Sequence, residues 1–325
     1  MTAWAPCPSP ATEAESGVGS LHHNGEMTDP AVTASRRRVI GALTQIGTEI
    51  SINFGSALAG VAIPKVGSPI VVAARQLVMV IVLVPFYRPK RSELTWVRLW
   101  PALALGVVLA VMNLSFYESV HLLGLGIAAT IEFLGPLTIA LIASRRVLDV
   151  VCVVVAGIGV VLLTGLEGQI DPWGIVLALV AGASWAAYIL LTRRVALRLP
   201  GLEGLTVASI VSLALITPLA IATLPSADFD PGVIGLLLAI GVLSSAIPYS
   251  LDTFILRRIS PRLFAIITSF GPATGAIFGW LVLGETFTLV QAIAIGMVCV
   301  AAATAIATQR ERPVSQLEQS AELQV

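Results

Sequence analysis

The chain has 325 residues, 56% apolar and only 12% charged, and its 19 basic and 19 acidic side chains cancel to zero net charge. Soluble domains carry about 25% charged residues, so water is excluded as the solvent for most of this sequence. A balanced charge with no separate basic domain gives nucleic acid nothing to bind, and three cysteines exclude a disulfide framework.

Residues 1–35, rich in Ser, Pro, Ala, Gly and Glu and lacking an apolar core before a cleavage site, read as a disordered cytoplasmic tail. Met27 offers an alternative start within it, and His22-His23 read as solvated rather than metal-binding. From Val39 to Thr308, apolar runs of 17 to 24 residues recur, each about long enough to cross a hydrocarbon core as a helix. Breaks of charge and turn-forming residues divide them into ten expected spans, near 39–61, 69–87, 99–119, 122–143, 147–165, 173–192, 204–224, 232–254, 262–283 and 288–308. Cys152 and Cys299 fall inside two of these runs and read as small packing residues. Residues 310–325 form a second cytoplasmic tail.

Seventeen of the nineteen basic residues lie before the first span or after the even-numbered ones, while Glu167, Asp171, Asp228, Asp230 and Glu285 occupy the alternate loops. Basic loops stay in the cytoplasm, so both termini are expected there. "EFLGPLTIALI" at 132–142 is similar to "TSFGPATGAIF" at 268–278 and pairs Gly135-Pro136 with Gly271-Pro272. The fourth span thereby pairs with the ninth. The expected fold is an all-α polytopic membrane protein of ten transmembrane helices in two inverted five-helix repeats, 36–168 and 169–309. Gly-Pro inside a span removes a backbone donor, so Gly135, Pro136, Pro248, Gly271 and Pro272 are expected helix bends, which must face protein or a wet cavity. Gly271, Gly275 and Gly279 recur every four residues and read as a close-packing face.

A charge at bilayer depth costs about 2.5–3.5 kcal/mol on insertion scales, which singles out Glu49, Arg75 and Glu132. Two arrangements stand open. Arg75 pairs with Glu49 or Glu132 as a strut between helices, or it receives a cargo carboxylate while Glu132 or Glu49 receives an ammonium. Asn53 and Asn113 serve either interhelical hydrogen bonds or site lining. Tyr117, Trp185 and Tyr188 add aromatic lining. A buried carboxylate is also able to exchange a proton with either side, and Glu132, Glu49 and Asp252 are the candidates. Glu118 and His121 read as solvated at the rim, and Asp252 has Arg257 and Arg258 nearby as partners. No P-loop, H-E-x-x-H, Cys/His cluster or G-x-S-x-G is present, so the expectation is a protein that is not an enzyme, with no cofactor and no metal. A polar cavity between helices leaves a passive channel as a further reading.

With "GPLTIALIASRR" and "LGETFTLVQAIAIG", the chain resembles the drug/metabolite transporter superfamily, specifically its EamA-type domains, over residues 38–308. "GLGIAATIEFLGPL", "ASRRVLDVV", "ASWAAYIL", "LSSAIPYSLD" and "RISPRLFAIITS" look like its branch of inner-membrane threonine/homoserine exporters. The resemblance implies proton-driven efflux of small amino acids; another small metabolite or drug is the alternative cargo. It implies site roles for Glu132, Arg75, Asn113, Tyr117 and the run Pro248, Tyr249, Ser250 and Asp252. There are two departures: Gly271 stands where the branch often has an acid, and Glu49 is additional. Expected partners are a small-molecule cargo, protons and membrane lipid; nothing in the sequence speaks to oligomeric state.

Overall fold

The computed structural model describes residues 30–87, 95–142, 147–164, 171–199, 201–256, 258–259 and 261–308, and among these residues the regular structure is entirely helical. In chain order the helices are α1 (Pro30–Val66), α2 (Ser68–Leu83), α3 (Trp96–Leu123), α4 (Leu125–Glu132), α5 (Leu134–Ile142), α6 (Val147–Thr164) and α7 (Pro172–Ala196). There follow α8 (Glu203–Thr223), α9 (Pro231–Gly241), α10 (Ile247–Leu256), α11 (Pro261–Thr268), α12 (Gly271–Leu283) and α13 (Leu289–Thr308). A π-helical turn, Val242–Ala246, joins α9 to α10.

Seven helices among the described residues are long and apolar enough to cross a membrane, and shorter apolar helices run over Ser68–Leu83, Leu125–Ile139 and Val150–Leu163. The expected second, fourth and fifth spans fall on those shorter ones. Two boundaries are corrected. Helix α1 begins at Pro30, so 30–35, the end of the expected tail, is helical, while 1–29 and 309–325 lie outside the described residues. The fourth span begins at Leu125 rather than 122, because α3 continues to Leu123 and Gly124 then turns the chain at φ 83°, a left-handed value that favours glycine.

Many large apolar side chains are exposed along these helices, such as Leu77, Ile81, Val111, Val154 and Ile277. In a bilayer that outer belt meets hydrocarbon, so polar groups turn inward instead. Helix α1 packs against α9, α10 and α12; α7 packs against α3, α4 and α5; α2 meets α8, α4 meets α12, and α6 meets α13. Small residues permit the closest approaches. A Cβ at Gly55 would lie 2.9 Å from Ser244, and one at Gly106 would lie 2.7 Å from the Ala208 carbonyl. The expected glycine face on α12 is present in part: Gly275 and Gly279 are buried, Gly275 facing Ala129 of α4, whereas Gly271 is half-buried.

Two opposite faces result. On one, Arg198 donates to the Val97 carbonyl at 2.6 Å and the Gly41 backbone packs on Arg258 and Ile259. On the other, the Asp228 N–H donates to the Lys65 carbonyl at 2.9 Å, and the Glu285 loop meets the start of α4.

Candidate substrate site at the helix breaks

The network around Arg75 begins with a proline. Pro248 has no N–H to return to the carbonyls one turn before it, and the π-helical turn shifts the ladder there, with the Ile247 N–H bonding to the Val242 carbonyl. Other groups take up the released carbonyls. Ser51 Oγ of α1 donates to the Leu243 carbonyl at 2.6 Å, and Arg75 Nη2 of α2 donates to the Ser244 carbonyl at 2.8 Å. Arg75 also donates from Nε to Ser245 Oγ at 2.6 Å and from Nη1 to Asn113 Oδ1 at 2.7 Å and Tyr117 Oη at 2.9 Å. The guanidinium lies 5.4 Å from the Tyr117 ring centroid. Arg75, Asn113, Tyr117, Ser244 and Ser245 are all buried. Among the described residues the hydrogen bonds of Arg75 run to neutral acceptors on α3 and on the π-helical turn.

A second break carries Glu132. The helix is interrupted at Phe133, between α4 and α5. Pro136 leaves the Glu132 carbonyl without its i+4 donor, and that carbonyl points at Gly182 of α7, where a Cβ would lie only 2.7 Å away. Gly135 in turn abuts the Gly182 carbonyl. Two glycines thus let α7 close over exposed backbone. The Glu132 side chain is half-buried, close enough to Arg75 to feel its charge, and has no hydrogen bond or ion pair among the described residues. Beside the break, Trp185 packs edge-on against Phe133 at 5.6 Å between ring centroids, and Tyr188 lies against the cluster that holds Leu109 and Met112.

The third break separates α11 from α12 at Ser269 and Phe270, ahead of Gly271-Pro272. Gln45 Nε2 bridges Glu49 Oε1 at 3.1 Å and Thr268 Oγ1 at 3.3 Å. Asn53 donates to the Glu49 carbonyl at 2.9 Å. A Cβ at Gly271 would lie 3.8 Å from Glu49 Oε2. A carboxylate from α1 therefore stands beside the one Gly-Pro break that has no acid of its own. The Asp252 and Ser250 side chains lie outside the described residues.

The structure brings Arg75, Asn113 and Tyr117 into one cluster near Glu132, and it sets Glu49 and Asn53 at the α11–α12 break. Ser51, Ser244, Ser245 and Gln45 escaped the sequence reading; the signal for Ser244 was Pro248 four residues later. The cavity beside Arg75, lined also by Gln76, Ser209 and Tyr249, measures about 10 Å³, room for at most one water. At the acidic face, Glu285 accepts from the Leu125 N–H at 2.5 Å and the Gly126 N–H at 3.2 Å, closing the first turn of α4. Burial raises the Glu285 carboxyl above its ordinary 4.5 despite those two donors.

The EamA-like transporter family model matches residues 172–307. The chain is 37% identical over 272 residues to the threonine/homoserine exporter RhtA of Escherichia coli, covering 82% of this chain and 92% of that protein. It is also 37% identical over 266 residues to the exporter of the same name from Salmonella typhimurium, covering 81% and 90%. A crystal structure 20% identical in sequence superposes with a TM-score of 0.58 over 83% of this chain and 96% of that one, which bears on the fold alone. With this kinship covering most of its length, the chain belongs to the EamA-like transporters of the drug/metabolite transporter superfamily and is similar to their threonine/homoserine exporters.

Proposed function

We propose that this protein exports small amino acids of the threonine and homoserine kind across the inner membrane, exchanging them for protons by alternating access. The observation that carries the cargo is the kinship to threonine/homoserine exporters along most of the chain. The site is Arg75, Asn113 and Tyr117 on one side and Glu132 on the other, with Glu49, Asn53, Trp185 and Tyr188 bordering the path. Arg75 offers a forked donor set to a cargo carboxylate, which displaces Asn113 or Ser245 as acceptor. Glu132, unpaired at a helix break, receives the ammonium or a proton. Glu49 holds the equivalent place at the α11–α12 break, and Asp252 is a third proton-coupling candidate.

Helix pairing supports ten spans in two inverted halves. Helix α1 packs on the π-broken unit and on the Gly-Pro helix of the second half, as α7 packs on α3 and on the Gly-Pro helix of the first. The second, fourth and fifth spans each meet their counterparts, α2 with α8, α4 with α12 and α6 with α13. Both termini then lie in the cytoplasm and the acidic face outside. A cavity of about 10 Å³ at Arg75 admits no amino acid, so cargo enters only when the halves part.

The test is uptake of labelled threonine or homoserine into inverted vesicles under an imposed proton gradient. Glu132→Gln and Arg75→Ala, with insertion verified, are each expected to abolish gradient-driven uptake. Full uptake in both variants would assign these residues to structure alone.

A further inference from the structure

A cavity of about 590 Å³ opens on the acidic face, and no member of the Arg75 network lines it. The α1–α2 turn, the ends of α3 and α8 and the start of α7 enclose it. Pockets for small ligands run about 300–1,000 Å³, so the space is suited to a metabolite. Its wall carries both signs of charge. Lys65 and Glu118 line it together, with Trp173 and Leu177 as an apolar side. The Lys65 ammonium is half exposed and stands 3.6 Å from Asp230 Oδ2, a surface pairing of the kind that contributes little and exchanges readily. Glu118 accepts one hydrogen bond, from the buried Ser68 hydroxyl to Oε2 at 2.5 Å. That bond fixes the carboxylate and leaves Oε1 without a partner among the described residues.

We infer that this cavity is a second binding site, for a zwitterionic α-amino acid, separate from the Arg75 site. The cargo carboxylate pairs with Lys65, its ammonium pairs with Glu118 Oε1, and its side chain lies against Trp173 and Leu177. A single anion would leave Glu118 opposing it, and a single cation would oppose Lys65. A molecule carrying both charges satisfies both walls. The choice of threonine as probe rests on the export reading above.

The experiment is equilibrium binding of labelled threonine to the full chain in lipid nanodiscs. A saturable component is expected that survives Arg75→Ala, and equally survives the isosteric Glu132→Gln should the alanine variant not fold. Lys65→Gln and Glu118→Gln are each expected to weaken that component about tenfold or more, the loss of one charge-assisted hydrogen bond. Gln at 118 still accepts from Ser68, so the local fold is kept. Threoninol, without the carboxylate, and 3-hydroxybutyrate, without the ammonium, are expected to compete about tenfold worse than threonine. Absence of a component that survives Arg75→Ala and Glu132→Gln, or survival with native affinity in either Lys65→Gln or Glu118→Gln, overturns the assignment. Binding of this kind without any vesicle uptake would defeat the export reading and leave the site standing. Uptake with native binding in both cavity variants would do the reverse.

Discussion

Arg75 illustrates why a charge persists among apolar neighbours. All three of its nitrogens are engaged, and the acceptors come from α3 and from the π-helical turn, so one side chain ties the first half of the chain to the second. Arg75→Lys keeps the charge but has no planar fork to reach Ser245, Asn113 and the Ser244 carbonyl together. Each buried partner left unsatisfied costs about 1–3 kcal/mol, so this variant is expected to melt at a distinctly lower temperature in detergent and to lose transport. An unchanged melting temperature would refute the clamp. The sequence named Arg75, Asn113 and Tyr117 as residues of one path, because charged and amide groups in apolar runs stand out one by one. It did not name Ser244 and Ser245, since serines are common in such helices and only the fold shows which carbonyl or hydroxyl meets a guanidinium.

At the scale of elements, the helix breaks are where backbone chemistry becomes site chemistry. Pro136 releases the Glu132 carbonyl and Gly182 lets α7 cover it. Gly182→Ala drives a methyl into that carbonyl, an overpacking cost of about 1–3 kcal/mol. Gly157→Ala is the control: nothing lies within 4 Å of its added Cβ, and helix propensity favours alanine by about 1 kcal/mol. Thermal melts should separate the two in sign. Glu285 gives a pH prediction. Its folded-state carboxyl is raised above 4.5 by burial, so the folded protein holds that proton more tightly than the unfolded chain does. The contribution to stability is full below pH 4.5 and is lost as pH rises through the raised value. Glu285→Gln is expected to flatten the decline in melting temperature between that pH and neutrality; an identical decline in the variant would exclude Glu285 as its source.

For the whole molecule, the inverted-repeat reading makes a directional prediction. In a Cys7→Ser background, Ser226→Cys on the acidic face should react with a membrane-impermeant maleimide in intact cells. Thr95→Cys on the arginine face should react only after the membrane is opened. The two native cysteines within the described residues, Cys152 and Cys299, are buried and should stay silent. Labelling of Thr95→Cys in intact cells would reverse the orientation.

By itself the sequence determined the solvent: low charge and long apolar runs are one-dimensional properties, and hydrocarbon enforces them run by run. It also marked the Gly-Pro breaks, since a proline's missing donor is a local fact. Only the tertiary structure decided which groups answer those breaks. Arg75 reaches the freed Ser244 carbonyl, and Glu49 came to stand beside Gly271, because each outcome depends on contacts between helices far apart in the chain. Burial in a low-dielectric interior makes every such polar contact costly to leave unmade, and packing, not periodicity, selects its partner.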